Sequence, residues 1–374
     1  MNIVKTKTFT GSRLLVLPAI LVAMFSVAQA EEGRFLERTT FTLPPQMKEV
    51  AKVLEDAGVN IVYGPNSVAP PDSISDEAKK MWAQLPQLPL QAHNAKQLAA
   101  TRKMMAIGEE AAFAKFSKQY KIEDREINGV MTQWTTPKEL KHPDKVMIFI
   151  HGGGMVVNTR KTQLAFQVDV ADSLGVKVVS VEYPLAPEHP YPAAVNDLVK
   201  AYQGIIKEYG AQNAGLFGTS AGGGLTLSAL LRLKADGLPL PAASAPISPE
   251  ADMTSGGFLF KALGLNDPIL PPYGTYTGVK AYAKGSDPKD PLVSPVFGDY
   301  TGVTPMFLFC GTSELLGSDA IRVAANARTQ GVDVTLYVND GMWHVSLGPN
   351  GTGVPELQQP YDDLIKFFKK HLNI

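Results

Sequence analysis

From about residue 125 to the C-terminus, short continuous apolar runs alternate with segments of helical periodicity. The runs are Val146–Ile150, Val176–Val181, Gly215–Phe217, Ala242–Ile247, Met306–Cys310 and Val334–Val338. Each is short and mostly apolar, which suits a strand covered on both faces rather than one half-exposed to water. Between them, Leu164–Leu174, Ala193–Tyr209, Ala221–Ala235 and Ser318–Thr329 carry apolar residues at three- and four-residue steps, and an amphipathic helix closes the chain from about Tyr361 to His371. Alternation of this kind predicts an α/β fold: a mostly parallel sheet with helices on both faces.

Two stretches break the rhythm. Residues 31–125 read as helices, Asp76–Gln84 and Ala95–Tyr120 among them, separated by proline joints at Pro70-Pro71, Pro86 and Pro89. No strand is expected there, and the segment reads as a helical cap. The second stretch, about residues 253–290, is rich in Gly, Pro and Tyr and reads as an insertion over the ends of the strands.

The N-terminus has a different character. Lys5, Lys7 and Arg13 precede an apolar run from Leu14 to Val27, followed by Ala28-Gln29-Ala30. This is the pattern of a cleaved secretory leader, 1–30, and the run is short for a membrane span. The expected location is the periplasm or the exterior. Cleavage would remove three cations and take the formal charge of the chain from −1 to −4. With no basic run or basic-aromatic stripe, nucleic acid is not an expected partner. The single cysteine, Cys310, excludes an internal disulfide. Residues 126–374 remain as the body of the protein.

Candidate chemistry sits at the ends of the apolar runs, where α/β sheets gather their sites. Gly218-Thr219-Ser220-Ala221-Gly222 can present a serine at a tight strand-to-helix turn. In a chain with 33 glycines that pentapeptide alone is a weak signal. It gains weight from His151-Gly152-Gly153-Gly154 at the end of an earlier run, whose bare backbone N–H groups can hold a developing oxyanion. Together they point to acyl transfer through serine. Of the histidines, His142, His189, His371 and His93 lie in joints, the cap or the terminus, and His151 opens the glycine loop. His344, in the loop after Val334–Val338, is left as the base. Glu314, 94 residues after the serine and 30 before the histidine, is the preferred acid, with Asp319 and Asp340 as rivals. The oxyanion donors are expected to be the N–H groups of Gly153, Gly154 and Ala221. No H-E-x-x-H, Cys/His cluster or phosphate-binding lysine loop is present, so neither metal nor cofactor is expected.

With these residues in place the chain resembles the hormone-sensitive-lipase-like esterases of the α/β-hydrolase fold. The likeness also rests on Glu182-Tyr183-Pro184-Leu185-Ala186-Pro187-Glu188-His189-Pro190, Asp290-Pro291-Leu292-Val293-Ser294-Pro295 and Gly341-Met342-Trp343-His344. It implies hydrolysis of short-acyl carboxylic esters under a mostly helical cap, with Ser220, Glu314 and His344 at the triad positions, and pairing of subunits through a sheet edge. Several positions depart from the usual pattern. Thr219 stands where aspartate is common, Glu314 where aspartate is more usual, Pro184 where arginine is common, Glu250 where an aromatic is frequent, and Met155 and Asn158 replace frequent aromatic and glycine residues. A catalytically silent binding protein on the same fold, or an amide-directed serine hydrolase, are the alternative readings.

Overall fold

The computed structural model describes residues 68–85, 94–263, 266–270 and 278–374. The expected leader, the first part of the expected cap, His93 and part of the expected insertion lie outside these residues.

Eight strands form one sheet: β1 (Lys121–Ile127), β2 (Val130–Thr136), β3 (Val146–Ile150), β4 (Lys177–Val181), β5 (Ala214–Thr219), β6 (Ala243–Ile247), β7 (Met306–Gly311) and β8 (Val334–Asn339). Their order is β1-β2-β4-β3-β5-β6-β7-β8. The β1/β2 and β2/β4 pairings are antiparallel, and β4 through β8 pair in parallel. The helices are α1 (Asp76–Trp82), α2 (Ala95–Phe116), α3 (Leu164–Leu174), α4 (Ala193–Tyr209), α5 (Ala221–Ala235), α6 (Phe258–Leu263), α7 (Gly317–Thr329) and α8 (Pro355–Leu372).

Alternate residues of each central strand serve opposite cores. Ile148, Val179, Leu216 and Leu308 pack with Leu198 of α4, Leu230 of α5 and Val323 of α7. Their neighbours Phe149, Val178, Phe217 and Phe307 pack with Phe166 of α3 and with Leu364 and Phe368 of α8. Phe217 lies 4.9 Å from the Phe149 ring and 5.8 Å from Phe166. Double coverage is why these strands read as mostly apolar runs.

The β1–β2 hairpin is a correction to the sequence reading, which placed no strand before the parallel set. β1 is Lys-Ile-Glu-Asp-Arg-Glu-Ile, mostly exposed, at the edge of the sheet. Without a buried face to specify, it shows no apolar alternation. Its signal was the turn: Asn128 and Gly129, with φ +50° and +79°, connect Ile127 to its partner Val130. Asn-Gly is the preferred two-residue hairpin turn because both positions need positive φ. The strand also crosses the expected boundary at 125/126.

The last helix begins six residues earlier than its periodicity indicated. Pro355 occupies its first turn, and Pro360 lies inside it. A proline there leaves the carbonyl four residues back without its helical donor. That carbonyl belongs to Glu356, and Asn339 Nδ2 at the end of β8 donates to it at 2.7 Å.

The described N-terminal segment braces the sheet's chemical edge. Ser75 binds Glu356 of α8 through both its N–H and its hydroxyl. Ser73 donates to Asp340 at 2.7 Å, Ile74 packs directly on Gly341, and Trp82 meets Trp343 edge-on at 6.0 Å. Helix α2 holds the other side. Arg102 clasps Glu188 with two 2.8 Å hydrogen bonds and donates to the carbonyls of Val156 and Ala186.

Candidate active site

Register brings the motif loops together. Ile150 of β3 pairs with Gly218 of β5, and Thr219 pairs with Ile247 of β6. The glycine loop, the serine turn and the loop after β6 therefore leave adjacent strands at one edge. Gly311 of β7 pairs with Asn339 of β8, so the Glu314 and His344 loops leave the same edge beyond them.

Ser220 sits between β5 and α5 with φ +56° and ψ −126°, a conformation that L-residues with side chains occupy rarely. The fold holds it from three directions. Its N–H donates to the Ile247 carbonyl at 2.9 Å, and its own carbonyl accepts from Gly224 and Glu250, each at 3.0 Å. The turn tolerates no side chain at Gly222, where a Cβ would lie 2.1 Å from the Ile150 carbonyl oxygen.

The hydroxyl faces His344. Nε2 of His344 lies 2.9 Å from Ser220 Oγ, and Nδ1 lies 3.0 Å from Glu314 Oε2. A carboxylate can only accept, so Nδ1 carries the proton and Nε2 is left to accept from the serine. The other oxygen of Glu314 accepts the Gly311 N–H at 3.3 Å. Glu314 is fully buried and His344 almost so.

The rivals are occupied elsewhere. Asp319 accepts the N–H groups of Ala251 and Asp252, both at 3.0 Å, and burial holds its carboxyl well above the usual range. Asp340 accepts from Thr312 and Ser73 on the surface. His151 is buried and stacked on Tyr183 at 4.1 Å, with burial lowering its pKa. Its Nδ1 donates to the Gly152 carbonyl at 2.9 Å, so it shapes the glycine loop, as expected. His142 lies in a loop before β3, His189 in the loop before α4, and His371 at the end of α8 against Phe367.

The expected oxyanion donors are the N–H groups of Ala221, directly after the nucleophile, and of Gly153 and Gly154, in the loop whose Gly152 packs on the serine turn, where a Cβ would lie 3.0 Å from Ser220 Cβ. Among the described residues none of the three donates to another protein group. Gly153 has φ +119°, and a Cβ there would lie 2.4 Å from the Val157 carbonyl oxygen, so only glycine fits. The departures after it are accommodated. Asn158 takes φ +78°, which asparagine tolerates better than most residues, and its side chain donates to the Gly152 carbonyl at 3.2 Å. Thr219 donates to the Gln163 side chain.

A family model for the alpha/beta hydrolase fold matches residues 147–347, more than half the chain. The chain belongs to the hormone-sensitive-lipase-like esterases of the α/β-hydrolase family. It is similar to an acetyl-hydrolase of Streptomyces hygroscopicus, 33% identical over 221 residues that cover 59% of this chain and 73% of that protein. Solved structures agree. An esterase from the bacterial hormone-sensitive lipase family is 26% identical with a TM-score of 0.69, over 89% of this chain and 100% of that one. An esterase/lipase from an uncultured bacterium is 29% identical with a TM-score of 0.68, over 88% and 100%.

Two residues of this esterase site went unread in the sequence. Ser248, with φ +46°, accepts the Val345 N–H on its hydroxyl at 3.1 Å, tying the end of β6 to the residue after His344. Glu250, noted only as a departure, is buried two residues farther along that loop. Burial pushes its carboxyl up to about 7, against the pull of His344. Only strand pairing puts either residue beside Ser220, and no local spacing signals it.

Proposed function

We propose that this esterase hydrolyses short-acyl carboxylic esters through Ser220, His344 and Glu314. The observation that carries the reading is the continuous hydrogen-bonded chain from Ser220 Oγ through both His344 nitrogens to Glu314. Nε2 removes the hydroxyl proton as Oγ attacks the ester carbonyl. The N–H groups of Gly153, Gly154 and Ala221 receive the charge that develops on the carbonyl oxygen. The imidazolium, held in orientation by Glu314, then protonates the departing alcohol. Water, deprotonated by the same nitrogen, clears the acyl-enzyme and restores Ser220.

Initial rates on p-nitrophenyl esters from acetate to decanoate, with wild type beside Ser220→Ala, test the mechanism. Turnover should peak at short chains and fall by several orders of magnitude in the variant. Undiminished turnover by folded Ser220→Ala would rule the mechanism out.

The same proposal includes export with cleavage after Ala30, supported by the cationic start, apolar run and small-residue site. Mass spectrometry of the protein recovered from a periplasmic fraction measures the new N-terminus. Pairing through a sheet edge is proposed from the resemblance and from the position of β8 at one edge, with Val338 exposed. Sedimentation gives the stoichiometry.

A further inference from the structure

The glycine loop after β3 is held in a conformation that its sequence alone does not favour. Gly153, Gly154, Met155 and Asn158 have φ of +119°, +59°, +57° and +78°. For Met155 and Asn158 this is the left-handed region, which residues with side chains keep only where their surroundings hold them. Several holders come from outside the loop. The Tyr183 hydroxyl donates to the His151 carbonyl at 2.8 Å, Arg102 Nε of α2 to the Val156 carbonyl at 2.7 Å, and the Ala186 N–H to the Met155 carbonyl at 2.8 Å.

The two oxyanion donors expected from this loop are aimed in different ways. A trans peptide unit is planar, so its N–H points opposite to the carbonyl in the same plane, and both units here are trans. The Gly154 N–H shares its plane with the Gly153 carbonyl, which accepts the N–H groups of Val156 and Val157, both at 3.1 Å. Backbone alone fixes that unit. The Gly153 N–H shares its plane with the Gly152 carbonyl, which takes no backbone donor among the described residues. It takes two side chains instead, His151 Nδ1 at 2.9 Å and Asn158 Nδ2 at 3.2 Å. A carbonyl only accepts, so the Asn158 amide presents its nitrogen here. The amide also lies close against the unit: a Cβ on Gly153 would be 2.9 Å from Asn158 Nδ2. A peptide between two glycines has no side chain to resist a flip. A flipped Gly152-Gly153 unit would offer the oxyanion a carbonyl in place of an N–H.

We propose that Asn158 is a positioning residue for ester hydrolysis: its amide holds the Gly152 carbonyl and so keeps the Gly153 N–H aimed into the oxyanion hole. This role rests on the esterase reading above. It acts on charge that develops only in the transition state, so its loss falls on kcat rather than KM.

Two variants test the role. Asn158→Gly keeps the positive φ and removes the donor. Asn158→Asp keeps the shape, tolerates the same φ, and at pH 8 sets a carboxylate against the Gly152 carbonyl. On p-nitrophenyl butanoate, kcat should fall about tenfold in the first and about a hundredfold in the second, with KM changed by less than about twofold. Inhibition separates this from a merely structural loss. With trifluoromethyl propyl ketone, Ser220 Oγ bonds to the carbonyl carbon, the serine proton passes to His344 Nε2, and the carbonyl oxygen becomes an oxyanion. Affinity for it should fall by the same factors as kcat. Affinity for methyl propyl ketone, which stays a neutral carbonyl, should not change. Circular dichroism checks that both variants are folded. If kcat and the fluoroketone affinity stay within about twofold of wild type in both variants, the role is overturned. A rise in KM at unchanged kcat overturns it as well, because Asn158 would then serve substrate binding. Both of those outcomes leave the esterase reading standing. Turnover that persists in Ser220→Ala would instead strike that reading, and the role of Asn158 with it.

Discussion

Two strand ends, those of β7 and β6, each carry a buried glutamate into the same site, and the two are treated in opposite ways. Glu314 spends one oxygen on His344 and the other on the Gly311 N–H. Glu250 has no protein donor and is pushed up to about 7. The first is what a resting machine needs: a carboxylate whose partners are already in place before substrate arrives. The second lowers stability once it is ionised, because burial disfavours its charge and no protein group donates to it. Burial alone does not distinguish the two roles. The hydrogen-bond partners do.

The largest test of the contrast is at Glu314. Glu314→Gln keeps the shape but offers Nδ1 an amide, and kcat should drop by about 10³–10⁴ with KM little changed. Steady-state kinetics on a p-nitrophenyl ester measures it. A drop of less than tenfold would remove Glu314 from the machinery.

Stability should respond in the opposite sense at the two positions. The folded state holds a proton on Glu250 more tightly than an unfolded chain does. Its favourable contribution is therefore present below about pH 4.5, is lost as pH rises, and is gone above about 7. Glu250→Gln should thus stabilise the protein at pH 8, by on the order of 3 kcal/mol at most, and hardly at all at pH 4.5. Glu314→Gln should destabilise by about 1–3 kcal/mol. Urea unfolding at both pH values compares them, and a pH-independent effect of Glu250→Gln would contradict the assignment of a strained charge.

Smaller effects sharpen the picture. Ser248→Ala removes the acceptor for the Val345 N–H and should lower kcat by about tenfold or less, leaving KM and the acyl preference unchanged. A change in KM instead would mean that Ser248 touches substrate. Smallest of all is Cys310, fully buried in β7, where burial raises the thiol pKa well above its ordinary value. Iodoacetamide should leave native activity intact and modify the thiol only after unfolding, as mass spectrometry would show.

How much of this was legible in the chain follows from which forces wrote it. Strands buried on both faces must be largely apolar, so β3 to β7 stood out, and the turn at Ser220 requires small residues at fixed offsets. β1 escaped because an exposed edge strand has no face to declare, and only Asn128-Gly129 betrayed it. The start of α8 was hidden by prolines whose lost helical bond is replaced by Asn339, a partner on another element. Ser248 and Glu250 acquire their surroundings only through the β5–β6 register, which spacing along the chain does not contain.

The loop bearing His344 lies between two parts of the chain that are far apart in sequence. Ser73, Ile74 and Trp82 press on Asp340, Gly341 and Trp343, and Ser75 is bolted to Glu356 of the last helix. The contacts that brace the base therefore come from both the first and the last described segments. A sheet assembled without that closure would contain the serine but not the histidine in register with it. An ester added during refolding should therefore be turned over at full rate only once residues 73–82 have packed on the loop that carries the base.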